Sequence, residues 1–172
     1  MESFGRSLFV IGGARSGKSR HAQRLAEACG EPCVFIATAQ AFDDEMTDRI
    51  ARHRADRDDH WRTVEAPIDL PDAIGEAGAR GGVLLVDCLT LWASNLLLAD
   101  RDASAATDTL LAAIAATPAR IVLVANEVGL GIVPDNALAR AFRDSAGIIN
   151  QRVAAAVERV DLIVAGLPLR LK

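Results

Sequence analysis

Residues 7–28 read SLFVIGGARSGKSRHAQRLAEA: an apolar, β-branched run, a glycine-rich turn and a stretch of helical composition in direct succession. Within it Gly12, Gly17, Lys18 and Ser19 fit the pattern G-x-x-x-x-G-K-[ST], with a strand in front and a helix behind. At ordinary residue frequencies these four positions coincide in roughly one chain of this length in two hundred. The alternative is an ordinary glycine-rich turn. The pattern has a chemical reason: glycines let the backbone amides of Gly12, Gly13, Ala14, Arg15, Ser16, Gly17, Lys18 and Ser19 close around phosphate, and the helix start adds a positive dipole end. Lys18 is placed to reach β and γ phosphates, and the Ser19 hydroxyl to ligate Mg²⁺. The chain carries 17 arginines and two lysines, the other being Lys172, so the one internal lysine stands where a compact point charge is wanted.

Four further apolar runs follow the first: CVFIAT (33–38), GVLLVD (82–87), RIVLVAN (120–126) and DLIVAG (161–166). Each is nearly continuous rather than alternating, as in strands buried on both faces. Segments of helical period stand between them: residues 18–28, 43–57, 68–79, 89–99, 103–117 and 136–160. This alternation predicts an α/β fold, a mostly parallel central sheet flanked by helices. With 172 residues, 51% hydrophobic, and no linker or repeat, the whole chain 1–172 reads as a single nucleotide-binding domain. Ligands of such sheets sit at the carboxyl ends of the strands.

At the end of the third apolar run stands Asp87, where a carboxylate can hold Mg²⁺ directly or through water. Its competing role is to cap a helix beginning just after it. After the fourth run, Asn126 and Glu127 open NEVGLGIVPDN, whose lone G-x-G reads as a turn near the active edge.

The net charge of −4 and pI near 5.4 offer no footprint for a phosphate backbone, so nucleic acid is not an expected partner. Cys29, Cys33 and Cys88 form no C-x-x-C pair and read as small apolar side chains rather than disulfide or zinc ligands. The N-terminal apolar run is too short for a signal peptide, no run of 18 apolar residues occurs, and the chain is read as cytoplasmic without a transmembrane segment.

Residues 43–57, DDEMTDRIARHRADR, are helical in period yet almost all charge. Met46, Ile50 and His53 share one stripe, but a helix this polar cannot lie in its own subunit's core. Beside a nucleotide, Arg52, Arg54 and Arg57 would neutralise phosphate. His53 could attack phosphorus as a nucleophile, contact phosphate, or be solvated.

Taken in order, GGARSGKSRHA, FIATAQAFDDEMTDRIARHR, HWRTVEAP, DCLTLWASNLL, VANEVGLGIVP and FRDSAGIINQRVAAAVERVDLIVAGLPL cover nearly the whole chain. Over that span it resembles the bifunctional adenosylcobinamide kinase / adenosylcobinamide-phosphate guanylyltransferase family of cobalamin biosynthesis. The resemblance implies a P-loop NTPase fold of the RecA-like kind and two reactions at one nucleotide site. In one, ATP or GTP phosphorylates adenosylcobinamide. In the other, GTP guanylylates a histidine, which falls on His53, and GMP passes to adenosylcobinamide phosphate.

The family's nucleotide contacts fall on Gly12 to Ser19, on Ala37, Thr38 and Ala39, on Arg54, Ala55, Asp56 and Arg57, and on Glu65 and Asp87. The resemblance also implies Mg²⁺ and a homotrimer. Some relatives carry two adjacent histidines where this chain has Arg52 and His53, and relatives tend to read Arg-Pro where it has Arg57 and Asp58. The first departure leaves one candidate nucleophile; the second alters the turn after Arg57.

Two other readings fit parts of the sequence. One is a P-loop kinase of another small metabolite without a covalent intermediate, separable with GTP labelled at the α phosphorus. The other is a RecA-like ATPase driving a partner, which would turn over without a small acceptor.

Overall fold

The computed structural model describes residues 4–40 and 61–172. In these, β1 (Ser7–Gly12) leads through a loop into α1 (Lys18–Glu27) and then β2 (Cys33–Ala37). Residues 61–172 supply β3 (Trp61–Glu65), α2 (Leu70–Gly78), β4 (Val83–Asp87), α3 (Leu89–Leu98), α4 (Ala103–Ala116), β5 (Arg120–Asn126), α5 (Ala137–Ala156), β6 (Arg159–Val164) and β7 (Leu167–Arg170). The strands form one sheet in the order β3-β2-β4-β5-β1-β6-β7, parallel except for the β6–β7 pair. The sheet and its helices meet the α/β expectation.

Continuous apolar runs became central strands because helices cover both faces. Phe9 and Ile11 of β1 point to one face, with Leu84 and Val86 of β4 and Ile121 and Leu123 of β5. That face is covered by α2, α3, α4 and α5, through Leu70, Ile74, Trp92, Leu96, Leu110, Ile149 and Val153. Leu8 and Val10 of β1, Val122 and Val124 of β5 and Ile163 of β6 point to the opposite face and meet Ala22, Leu25 and Ala26 of α1. The helix ends follow local chemistry. Asp102 caps α4 by accepting from the N–H groups of Ser104 and Ala105, and Asn136 caps α5 by accepting from Ala139 N–H. Pro71 stands in the first turn of α2, where its missing N–H costs no bond.

Two strands had no apolar run to announce them. Trp61–Glu65 is an edge strand whose residues are half-buried or exposed, so Arg62 and Glu65 interrupt the apolar pattern without cost. Leu167–Arg170 is the opposite edge, exposed throughout, and tolerates Pro168 because an edge strand leaves one row of N–H groups unpaired. The predicted helix at 43–57 lies outside the described residues.

Candidate active site

The loop between β1 and α1 sits at the carboxyl edge of the sheet. Two residues, Arg15 (φ 57°) and Gly17 (φ 93°), take left-handed backbone, which curls the chain back on itself. The Ser16 N–H donates to Gly13 C=O at 3.2 Å, and α1 opens with the His21 N–H donating to Gly17 C=O at 3.0 Å. Lys18 is buried, and its ammonium folds over the loop to donate to Gly13 C=O at 3.1 Å. A side chain at Gly12 would force its surroundings to shift: a Cβ there would lie 2.6 Å from the Ile163 carbonyl oxygen and 2.7 Å from Ser16 Oγ.

Around this loop the strand ends line up. Ala37 of β2 is in register with Glu65 of β3 on one side and Asp87 of β4 on the other, so three residues singled out from sequence form one row across three strands. Across the sheet, Gly12 pairs with Asn126, and the Glu127 N–H donates to Gly12 C=O at 3.0 Å. Gly12 to Ser19, Ala37 to Ala39, Glu65 and Asp87 thus share one edge. His53, Arg54, Ala55, Asp56 and Arg57 lie outside the described residues.

Asp87 is half-buried, and it does not cap α3. The cap position is Cys88, and no side chain bonds the helix start there, so the Asp87 carboxylate is not consumed as a cap. Thr38 explains how this corner is held. It is fully buried; its hydroxyl donates to Cys88 C=O at 2.7 Å and accepts from Cys88 N–H at 2.8 Å. Asn95 of α3 donates from Nδ2 to Thr38 C=O at 2.8 Å and to Pro67 C=O at 2.9 Å. Thr38 thus holds the residue after Asp87, and Asn95 ties that corner to the segment that follows β3. No local signal announces this clamp, because its partners are about fifty residues apart.

Beneath the loop is a charged cluster that sequence reasoning missed. Asp161 of β6 is fully buried and accepts two hydrogen bonds from Arg159, at 2.9 Å from Nε and 2.8 Å from Nη2. His21 of α1, also buried, lies with Nε2 3.0 Å from Asp161 Oδ2, and its Nδ1 is 3.3 Å from Arg24 Nη2. Burial by itself would raise the Asp161 carboxyl, but the hydrogen bonds from Arg159 and His21 outweigh it and hold the group below the usual carboxylate range. Burial pushes the thiol of Cys88, which follows Asp87 at the end of β4, up to about 11, so it is no nucleophile at neutral pH.

The donors at the carboxyl edge, a serine hydroxyl and a carboxylate, are hard oxygens of the kind Mg²⁺ takes. Among the described residues no group of three or more His, Cys, Asp or Glu could hold a metal ion. The arrangement fits an ion completing its shell with phosphate oxygens and water rather than one in an all-protein cage. No helix among the described residues is long and apolar enough to cross a membrane.

Comparison with known proteins gives the site its context. The family model described as cobinamide kinase / cobinamide phosphate guanyltransferase matches residues 8–171. The bifunctional adenosylcobalamin biosynthesis protein CobP of Pseudomonas aeruginosa is 50% identical over 165 residues, covering 95% of each chain. The corresponding CobU of Escherichia coli is 43% identical over 180 residues, covering 96% of this chain and 99% of its own. A solved structure from Pyrococcus horikoshii OT3 superposes over 99% of this chain and 88% of its own with a TM-score of 0.60 at 10% identity, a likeness of fold alone. The fold is a mostly parallel α/β sheet flanked by helices, with the glycine-rich loop between β1 and α1.

Proposed function

The chain belongs to the cobinamide kinase / cobinamide phosphate guanyltransferase family, and from that premise we propose that it carries out both reactions at one nucleotide site. First, the aminopropanol hydroxyl of adenosylcobinamide attacks the γ phosphorus of a nucleoside triphosphate; the γ phosphoryl group transfers, the nucleoside diphosphate leaves and the hydroxyl proton is lost. Second, a His53 ring nitrogen attacks the α phosphorus of GTP, the bond to the β phosphate oxygen breaks and pyrophosphate departs. A phosphate oxygen of adenosylcobinamide phosphate then attacks the same phosphorus, the P–N bond breaks, and adenosylcobinamide-GDP leaves a free histidine.

What carries this reading is the convergence of the phosphate loop with the row Glu65, Ala37 and Asp87 at one sheet edge, in a chain of this family. Charge grows on phosphoryl oxygens in either reaction, and Lys18 with the loop N–H groups is preorganised to stabilise it. Ser19 and Asp87 would hold Mg²⁺, which supplies charge neutralisation when bound with the triphosphate. Arg54, Ala55, Asp56 and Arg57 flank the nucleophile and contact the nucleotide in this reading, together with Ala37, Thr38, Ala39 and Glu65. Residues 1–172 work as one nucleotide-binding unit in the cytoplasm. Assembly as a homotrimer would give the charged segment around His53 a neighbouring subunit to face.

A coupled assay with adenosylcobinamide, ATP, GTP and Mg²⁺ tests the proposal, followed by chromatography for the GDP-linked corrinoid. Its formation supports both activities. Accumulation of the phosphate ester alone would leave only a kinase, and no corrinoid turnover would remove the assignment.

A further inference from the structure

The most deeply buried charge among the described residues, Asp161, lies outside the catalytic chemistry just described. Asp161 is wholly inaccessible, and Arg159 and His21 are nearly so. Together they join the middle of β6 to the first turns of α1. Replacing such an ion cluster by packed apolar side chains is commonly neutral or stabilising, so stability alone is a poor reason for it. What the cluster has that an apolar contact lacks is direction. With its proton on Nε2, the His21 ring donates to Asp161 and accepts from the Arg24 guanidinium at Nδ1, so both nitrogens are satisfied in one ring orientation. Arg159 in turn fixes the Asp161 carboxylate plane through two parallel bonds.

His21 follows Lys18 by three residues, so the two share a face of α1, one turn apart. Fixing the His21 ring against β6 therefore sets the rotation of the helix that carries Lys18 and Ser19. The same strand grips the loop a second time. Beyond Val164, Ala165 (φ 51°) and Gly166 (φ 81°) turn the chain into β7, and the Gly166 N–H donates to Ser16 C=O at 2.9 Å. The turn and the loop lie side by side: a Cβ on Gly17 would be in van der Waals contact with Gly166 Cα, at 3.4 Å.

We infer that the β6–β7 hairpin is a positioning device for the phosphate loop, with Asp161 and His21 as positioning residues that aim Lys18 and the start of α1 at the β and γ phosphates. The inference rests on the reading of residues 12–19 as a nucleotide phosphate site. It makes a claim that a merely structural role would not: loosening the cluster weakens the grip on the outer phosphates and leaves the rest of the nucleotide alone.

The experiment is equilibrium binding of Mg²⁺-GTP and of GMP to the full chain, with near-ultraviolet circular dichroism confirming a native fold at the temperature used. His21→Leu removes the donor. Asp161→Asn is isosteric but turns one carboxylate oxygen into an N–H donor, so it cannot accept from both Arg159 and His21 and loosens the same contact if His21→Leu does not fold. Misplacement of the helix should weaken GTP about ten- to a hundredfold while GMP changes less than about twofold. His21→Gln, whose amide can donate toward Asp161, should recover most of the GTP affinity. Unchanged GTP affinity in a folded variant, or equal losses for GTP and GMP, would overturn the inference. Lys18→Ala is the control: should it bind GTP normally, the phosphate-site reading fails rather than the positioning role.

Discussion

The Gly166 N–H donates to the Ser16 carbonyl oxygen at 2.9 Å, so a turn at the end of the chain braces a loop at its beginning. Ile163, three residues earlier, presses its carbonyl oxygen toward Gly12 from the same strand. The loop between β1 and α1 is thus shaped from outside as well as by its own glycines.

Gly12→Ala tests that packing. The added methyl would lie 2.6 Å from a main-chain oxygen, which cannot swing aside as a side chain would. The loop must shift away from β6. Overpacking of this kind costs about 1–3 kcal/mol, and the variant should stay folded with a lower urea midpoint and weakened GTP binding. Wild-type values in both measurements would mean that the loop has more room than its contacts imply.

Lys18→Ala should abolish phosphorylation of adenosylcobinamide and guanylylation alike, because both need a triphosphate with its charge neutralised. Loss of one preorganised donor to a developing charge typically costs about 2.7–4 kcal/mol, or a hundred- to a thousandfold in rate. Rates of the two steps measured separately on the purified variant decide the matter. Survival of either near its original rate would show that this loop does not hold the reacting nucleotide.

How much of this was legible in the sequence depends on how local each signal is. Residues 7–28 hold strand, loop and helix side by side, so the first strand-loop-helix unit could be read directly. The five apolar runs all became strands because each is buried by helices on both faces. The edge strands at Trp61–Glu65 and Leu167–Arg170 were not legible, since exposure removes the need for an apolar run. Nor was the Thr38–Asn95 clamp or the His21–Asp161 pair, whose members are 57 and 140 residues apart. A long-range polar contact leaves no periodic trace.

Replacing Asp87 by Asn keeps the shape of the side chain and removes its charge. Because Asp87 does not cap α3, the fold should be unaffected, and the change should fall on the metal. The Mg²⁺ concentration giving half-maximal activity should rise about tenfold or more for both steps, the usual scale for a disturbed metal partner. An unchanged Mg²⁺ titration would take Asp87 out of the metal site.

The Asp161 cluster predicts a pH dependence. Its carboxyl is held below the usual range, so its contribution to stability is fully present above the unfolded value of about 3.9 and is lost as pH falls through the lower folded value. Asp161→Ala leaves Arg159 and His21 buried without their acceptor and should cost about 3–5 kcal/mol at neutral pH. Urea unfolding of both proteins should show the gap narrowing as pH falls below about 4. A gap independent of pH would mean that the carboxylate's charge contributes little.

The central claim, that one nucleotide site serves both a direct phosphoryl transfer and a covalent nucleotidyl transfer, turns on His53. The most direct measurement is incubation with GTP labelled at the α phosphorus, followed by mass-spectrometric location of the label, in the wild-type chain and in His53→Ala. The account predicts GMP on His53 and on neither His21 nor His60, as a phosphoramidate labile in acid and stable in base, with His53→Ala unlabelled yet still phosphorylating adenosylcobinamide. GMP on another residue, or an adduct that persists in His53→Ala, would contradict it.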